Sequence, residues 1–173
     1  MLNSLQYLNF SEHMIEAIKF ALRYDPSPNP RVGAVLVDKN NKIKKITAHK
    51  EKDKDHAEYN LFKNSDITEN DTLYVTLEPC FHDDTSPSCA NAVLETNVQN
   101  IVVGDIDRDE RTNGKGIELL KNNDLNVSIE NGVNDFLNPG YKIKNDKPYL
   151  IGKVATSEDH IIYNENKRYI TNK

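Results

Sequence analysis

Residues 72–80 read Thr-Leu-Tyr-Val-Thr-Leu-Glu-Pro-Cys, and the fold is decided by how this stretch is interpreted. Thr72 to Leu77 has the branched and aromatic composition of a buried strand, and it runs directly into Glu78-Pro79-Cys80. Upstream, His56-Ala57-Glu58 opens a helix predicted to continue through Phe62. Downstream, Ser86-Pro87 reads as the cap and first residue of a helix running to about Asn97, which places Cys89 in its first turn. Further out, Met14, Ile15, Ala17, Ile18, Ala21 and Leu22 recur at helical spacing between Glu12 and Tyr24, with Ser11 as cap. Prolines 26, 28 and 30 then impose an extended segment before the apolar run Val32–Val37. A turn at Asp38-Lys39-Asn40-Asn41 leads to a second strand through Ile46. Ile101–Val103 is a strand, Gly114–Lys121 a short amphipathic helix and Leu125–Ile129 a last strand. Helices alternating with short apolar strands predict an α/β sheet with helices on its faces.

At 173 residues the chain suits one core, and a net charge of −5 disfavours general binding to nucleic acid or anionic membrane. Neither an apolar run of transmembrane length nor a basic-then-apolar leader at Met1–Phe10 is found, so a cytoplasmic protein is expected. The two cysteines, Cys80 and Cys89, are separated by eight residues and make either one loop disulfide or two metal ligands.

His56, Cys80 and Cys89 form the one convergent set of metal-ligand types in the sequence. Three borderline or soft donors suit Zn²⁺ and leave a fourth tetrahedral position for water, as in catalytic sites. His56 and Glu58 are two positions apart and would diverge along a helix flank, but side chains at a helix amino terminus can converge on one point. The ion is therefore expected off the starts of two helices. Two thiolates and an imidazole neutralise the dication and acidify its water less than histidines would, so a carboxylate that moves the proton is needed; Glu58 is that group. Each residue alone would be unremarkable; their order and spacing match the His-x-Glu with Pro-Cys pattern of zinc base deaminases.

Taken with Ser27-Pro28-Asn29-Pro30, Val32-Gly33, His49, Leu77-Glu78-Pro79-Cys80, His82, Asp107 and Gly114-Lys115-Gly116, this set resembles the deaminase domain of the bifunctional riboflavin-biosynthesis deaminase/reductases, the RibD type, over nearly the whole chain. The eight-residue gap between the cysteines fits that family better than the two-residue gap common in cytidine deaminases. The resemblance implies a cytidine-deaminase-like three-layer α/β/α fold with a central mixed sheet of about five strands. It also implies one zinc ion per chain and hydrolytic deamination of 2,5-diamino-6-ribosylamino-4(3H)-pyrimidinone 5′-phosphate. By motif position His56, Cys80 and Cys89 would bind zinc and Glu58 would shuttle the proton. Asn29, His49, Ala57, His82 and Asp107 would contact the substrate.

Two departures qualify the resemblance. Where the family carries a glycine, a basic residue, a threonine and two prolines before its second cysteine, this chain reads Asp84-Thr85-Ser86-Pro87-Ser88, preceded by Asp83. The cation that helps hold the phosphorylated ribose is missing, and Arg108 and Arg111, in the loop carrying Asp107, are candidates to replace it. Residues 147–155 resemble the first strand of the family's reductase domain, so residues 1–145 are assigned to the deaminase and 146–173 to a truncated tail. NADPH is accordingly not expected here, and reduction would fall to another chain. The expected partners are a small phosphorylated aminopyrimidine and further copies of the chain, with no nucleic acid and no membrane. Two alternatives are a deaminase of another aminopyrimidine, nucleoside or nucleotide, and a catalytically idle zinc-stabilised assembly module. Retention of Glu58 argues against the idle module, because metal-based stability needs the ligands but no proton shuttle.

Overall fold

The computed structural model of the protein describes residues 10–83 and 87–141. All of them fall within the first of two units, Met1–Ile143 and Lys144–Lys173. The tail strand, the domain boundary near residue 145, the reading of Ser86 as a helix cap and the departure at Asp84-Thr85 lie outside the described residues.

Five strands form one mixed sheet in the order β2-β1-β3-β4-β5. They are β1 (Gly33–Val37), β2 (Ile43–Ala48), β3 (Thr72–Val75), β4 (Asn100–Val103) and β5 (Asn126–Ile129). β1 runs antiparallel to both β2 and β3, whereas β3, β4 and β5 are mutually parallel. The hairpin is tied by Asp38, whose carboxylate accepts the N–H groups of Asn40 and Lys42. Alternation sorts the strand side chains onto two faces. Ala34, Leu36, Leu73, Val75, Ile101 and Val103 meet α2 (Ala57–Phe62), α3 (Cys89–Leu94) and α4 (Lys115–Asn122). On the opposite face Val35 and Val37 pack on Ala17 of α1 (Glu12–Ala21). There α5 (Val133–Leu137) packs beside α1 through Val133 and Leu137. β1 is buried along its whole length because both faces are covered. The expected three layers and five strands are therefore present, and the described residues contain no helix long and apolar enough to cross a membrane.

The boundaries differ from expectation where tight turns or side chains capture backbone groups. α1 stops at Ala21 rather than Tyr24, because the chain tightens into bonds from Arg23 N–H to the Phe20 carbonyl and from Tyr24 N–H to that of Ala21. β3 ends at Val75, two residues early: the Thr76 hydroxyl takes the N–H of Gly33 and the chain bends towards Glu78. α3 begins at Cys89 with Ser88 as its cap, the Ser88 hydroxyl accepting the Asn91 N–H, and it ends at Leu94 rather than Asn97. α5 was not foreseen. It is a single short turn that starts at Gly132, a residue in the left-handed region.

An ion pair between exposed Lys44 and buried Asp71 joins β2 to the start of β3. The Asp71 carboxylate accepts the Lys44 ammonium at 2.7 Å and the Thr68 N–H at 2.8 Å. Burial pushes this carboxyl up, but the bonds from Lys44 and Thr68 outweigh burial and hold it below its ordinary value. Its stabilisation is therefore complete above the unfolded carboxylate range and disappears as pH falls through the lower folded value. Asp71→Asn should cost about 1–2 kcal/mol at pH 7, and its unfolding midpoint should converge on that of the wild type in acid.

Candidate active site

α2 and α3 begin near the same point. His56 is the N-cap of α2 and Cys89 the first residue of α3, so both side chains project beyond the helix starts. His56 Nδ1 lies 3.2 Å from Cys89 Sγ and 3.6 Å from Cys80 Sγ. The three donor atoms lie within 4.8 Å of one another. Both cysteines are free thiols, which removes the loop-disulfide alternative. The Cys89 N–H donates to Cys80 Sγ at 3.2 Å and the Ala90 N–H to the Cys80 carbonyl, so the opening turn of α3 holds the segment bearing the first thiol. A tetrahedral ion with Zn–S near 2.3 Å and Zn–N near 2.05 Å would separate such donors by roughly 3.6 Å, so the set fits zinc in spacing as well as in chemistry.

Glu58, one residue into α2, is 3% exposed. Burial pushes its carboxyl up to about 7, against the pull of the His56 imidazole, and it is in hydrogen-bond contact with the Cys89 thiol. The thiols divide a proton unequally: hydrogen bonding from Cys89 draws Cys80 down, while the same contact and burial push Cys89 up.

The donors open onto a cavity of about 400 Å³, within the usual range of small-molecule sites. Asn29 and His49 form one wall. The His49 Nδ1–H donates to the Asp55 carbonyl at 3.2 Å, which leaves Nε2 to accept from the Asn29 amide at 3.1 Å. Burial lowers the pKa of His49, consistent with this neutral tautomer. Its ring meets that of His56 edge-on at 5.2 Å. The backbone beside Asn29 is clipped by Asn138, which accepts the Arg31 N–H at 2.7 Å and donates to the Arg31 carbonyl at 2.9 Å.

The lining also includes His82, Asp107, Asp109, Arg111 and Tyr141. Thr112 Oγ1 joins the Phe81 N–H and His82 Nδ1, each at 3.3 Å. Asp107 is 6% exposed, accepts the Asp109 N–H at 2.8 Å and bonds the Tyr141 hydroxyl. Burial, reinforced by the Asp109 charge, raises the Asp107 carboxyl, and the same surroundings push Tyr141 upward. Arg111 grips Asp109 with Nε at 3.0 Å and Nη2 at 2.7 Å.

Asn29, His49, His82, Asp107 and Arg111 thus share one cavity with His56, Glu58 and Cys80, and Cys89 closes the donor set behind them. Two candidates stand apart. Ala57 is wholly buried in the core and its carbonyl accepts the Thr47 hydroxyl, so its backbone N–H is what it can offer a ligand. Arg108 lies outside the cavity lining, bonded to Asp135 and to the Tyr141 carbonyl. Sequence reasoning missed Asp109 and Tyr141. The Asp109 and Arg111 pair had a signal, opposite charges two positions apart in the loop after β4, whereas Tyr141 had none.

This sheet, these helix starts and this donor set define a zinc-binding deaminase fold. The family described as "Cytidine and deoxycytidylate deaminase zinc-binding region" matches residues 9–105, and the chain belongs to it. Within that class its relatives include proteins of riboflavin biosynthesis. The diaminohydroxyphosphoribosylamino-pyrimidine deaminase of Buchnera aphidicola subsp. Schizaphis graminum is 33% identical over 120 residues, covering 68% of this chain and 81% of that one. The riboflavin biosynthesis protein RibD of Aquifex aeolicus is 36% identical over 138 residues, covering 76% and 38%. The solved structure of Acinetobacter baumannii RibD, form 1, superposes with a TM-score of 0.71 at 33% identity over 92% of this chain and 45% of that chain. This chain therefore spans most of the Buchnera deaminase but less than half of either RibD protein.

The Asn138 clip joins residues 107 positions apart in the chain. Asn138→Ala leaves an N–H and a carbonyl of Arg31 without their partner and is expected to cost about 2 kcal/mol, read as a lower urea midpoint at unchanged m-value.

Proposed function

We propose that the chain hydrolyses the amino group of a diaminohydroxyphosphoribosylamino-pyrimidine, the substrate in the name of its Buchnera relative, releasing ammonia. The observation that carries this reading is the buried Glu58 carboxylate set against a His56, Cys80 and Cys89 donor set at the floor of a small-molecule cavity. The activity is assigned to residues 1–145, which contain every residue of this site.

His56 Nδ1, Cys80 Sγ and Cys89 Sγ would hold one zinc ion. When bound, zinc supplies the Lewis acidity that makes water a competent nucleophile near neutral pH. Glu58 takes a proton from the attacking water and passes it to the ring nitrogen. Hydroxyl adds at the ring carbon bearing the amino group, and Glu58 then carries that hydroxyl's proton to the amino nitrogen, so that the C–N bond breaks, a carbonyl is left on the ring and nitrogen leaves as ammonia. Asn29, held by neutral His49, presents an oriented amide to the pyrimidine, and Asp107 accepts hydrogen bonds from its N–H or amino groups. The Ala57 N–H and the His82 ring complete the proposed substrate contacts. Of the two arginines, Arg111 is the phosphate contact, because it lines the cavity while Arg108 is committed to Asp135 and the Tyr141 carbonyl.

The deciding experiment is ammonia release from the ribotide by zinc-loaded protein. Glu58→Gln should retain metal and lose at least about a hundredfold in kcat. Near-normal turnover in that variant defeats the mechanism, and wild-type silence with zinc bound shifts the reading to another aminopyrimidine or to an idle module. His56→Ala and Cys80→Ser should lose zinc by direct metal analysis and melt at lower temperature. Arg111→Ala should raise KM for the phosphorylated substrate about tenfold or more, with Arg108→Ala within about twofold of the wild type. Unchanged KM in Arg111→Ala removes it from the phosphate site.

A further inference from the structure

Glu78 takes no part in the chemistry above, yet it is 3% exposed and both its carboxylate oxygens are engaged by backbone N–H groups. Oε2 accepts from Asp107 at 3.0 Å and from Gly114 at 2.8 Å, and Oε1 accepts from Ile117 at 3.1 Å. Gly114 is the N-cap of α4 and Ile117 its third residue. A helix start ordinarily satisfies these two donors with its own N-cap hydroxyl and third-residue carboxylate. Here the cap has no side chain and the third residue is isoleucine, so one carboxylate from another segment performs both halves. The approach is close enough that a Cβ on Gly116 would fall 2.2 Å from the Pro79 carbonyl oxygen.

The third bond does nothing for the helix. It holds the N–H of Asp107, in the loop that also carries Asp109 and Arg111, and the Glu78 N–H returns a bond to the Asp105 carbonyl at 2.9 Å. A serine at position 114 is not a ready substitute, because Gly114 sits at φ +86°, where a side chain is strained, whereas a capping serine needs extended backbone. A carboxylate placed here satisfies α4 and the Asp107 loop together, and it does so two residues before a metal-ligating thiol.

Resting on the function proposed above, we infer that Glu78 is a positioning residue that sets the separation between the donor set and the substrate wall bearing Asp107 and Arg111. It borders the cavity, but both its carboxylate oxygens are committed to backbone N–H groups rather than turned to a ligand. Its loss lets the wall drift while the donors and Glu58 stay in place.

Glu78→Gln preserves shape but turns one acceptor into an amide N–H₂ that must face a backbone donor. The expected result is a KM for the ribotide raised about tenfold, kcat within about threefold and unaltered zinc content, together with faster amide exchange across residues 105–117 but not 87–94. Unchanged KM, or a fall in kcat and zinc content with KM unmoved, overturns the inference while leaving the deaminase reading intact. A silent wild type defeats the deaminase reading instead, and the exchange pattern then decides the brace alone. Should Glu78→Gln fail to fold, the wild-type Asp107 amide serves: although in a loop, it must exchange as slowly as the ladder amides of β3 and β4, and rapid exchange there overturns the inference.

Discussion

Two helices start at one point, and most of the remaining architecture follows from that coincidence. A helix start leaves backbone N–H groups without intrahelical partners, so side chains and neighbouring segments can be held there. Bringing the starts of α2 and α3 together places His56, Glu58 and Cys89 within reach of each other although they come from separate stretches of chain. Cys80 must then arrive from the end of β3, and the Cys89 and Ala90 N–H groups hold it there. The parallel pairing of β3 and β4 directs both following loops to the same end of the sheet, where the cavity lies.

The substrate side is built differently. Its loops have little apolar anchoring of their own, and buried polar side chains reach between segments to fix them. Both α4 and α5 begin at glycines in the left-handed region, Gly114 and Gly132, which have no side chain to cap with. Glu78 caps α4, and Asp105 caps α5 by accepting the Gly132 and Asn134 N–H groups at 3.0 Å. These carboxylates come from the segments following β3 and β4. Each ties a helix start to the end of a strand, and the Asn138 amide ties the end of α5 to the segment bearing Asn29.

The donor set, Glu58 and the three-layer sheet were legible in the sequence because they depend on residue types at short spacings and on apolar periodicity. His56, Glu58 and the two cysteines declare their chemistry by type, and β1, β3 and β4 are apolar runs. Cross-chain capture was not legible. Nothing near residue 76 announces that Thr76 ends its strand by taking the Gly33 N–H, and nothing near Gly132 announces that Asp105 will start a helix there. Arg108 and Arg111 are equivalent by type, and only their partners separate them: Asp135 and the Tyr141 carbonyl hold one outside the cavity, while Asp109 orients the other within it. Ala57 carried a motif position but no chemistry of its own, and burial leaves it only its backbone.

The Asn138 clip also orders events in time. A chain made from its amino end carries His56, Glu58, Cys80 and Cys89 well before Arg111, Asn138 and Tyr141, and domains take shape in that direction during synthesis. The three candidate metal donors are complete while Asp107, Arg111 and Tyr141 are still unmade. Arg31 is made 107 residues before its Asn138 partner, so the clip beside Asn29 can close only once that later segment exists. An interrupted chain ending before Asn138 would carry His56, Glu58, Cys80 and Cys89, but not the clip that holds the segment beside Asn29.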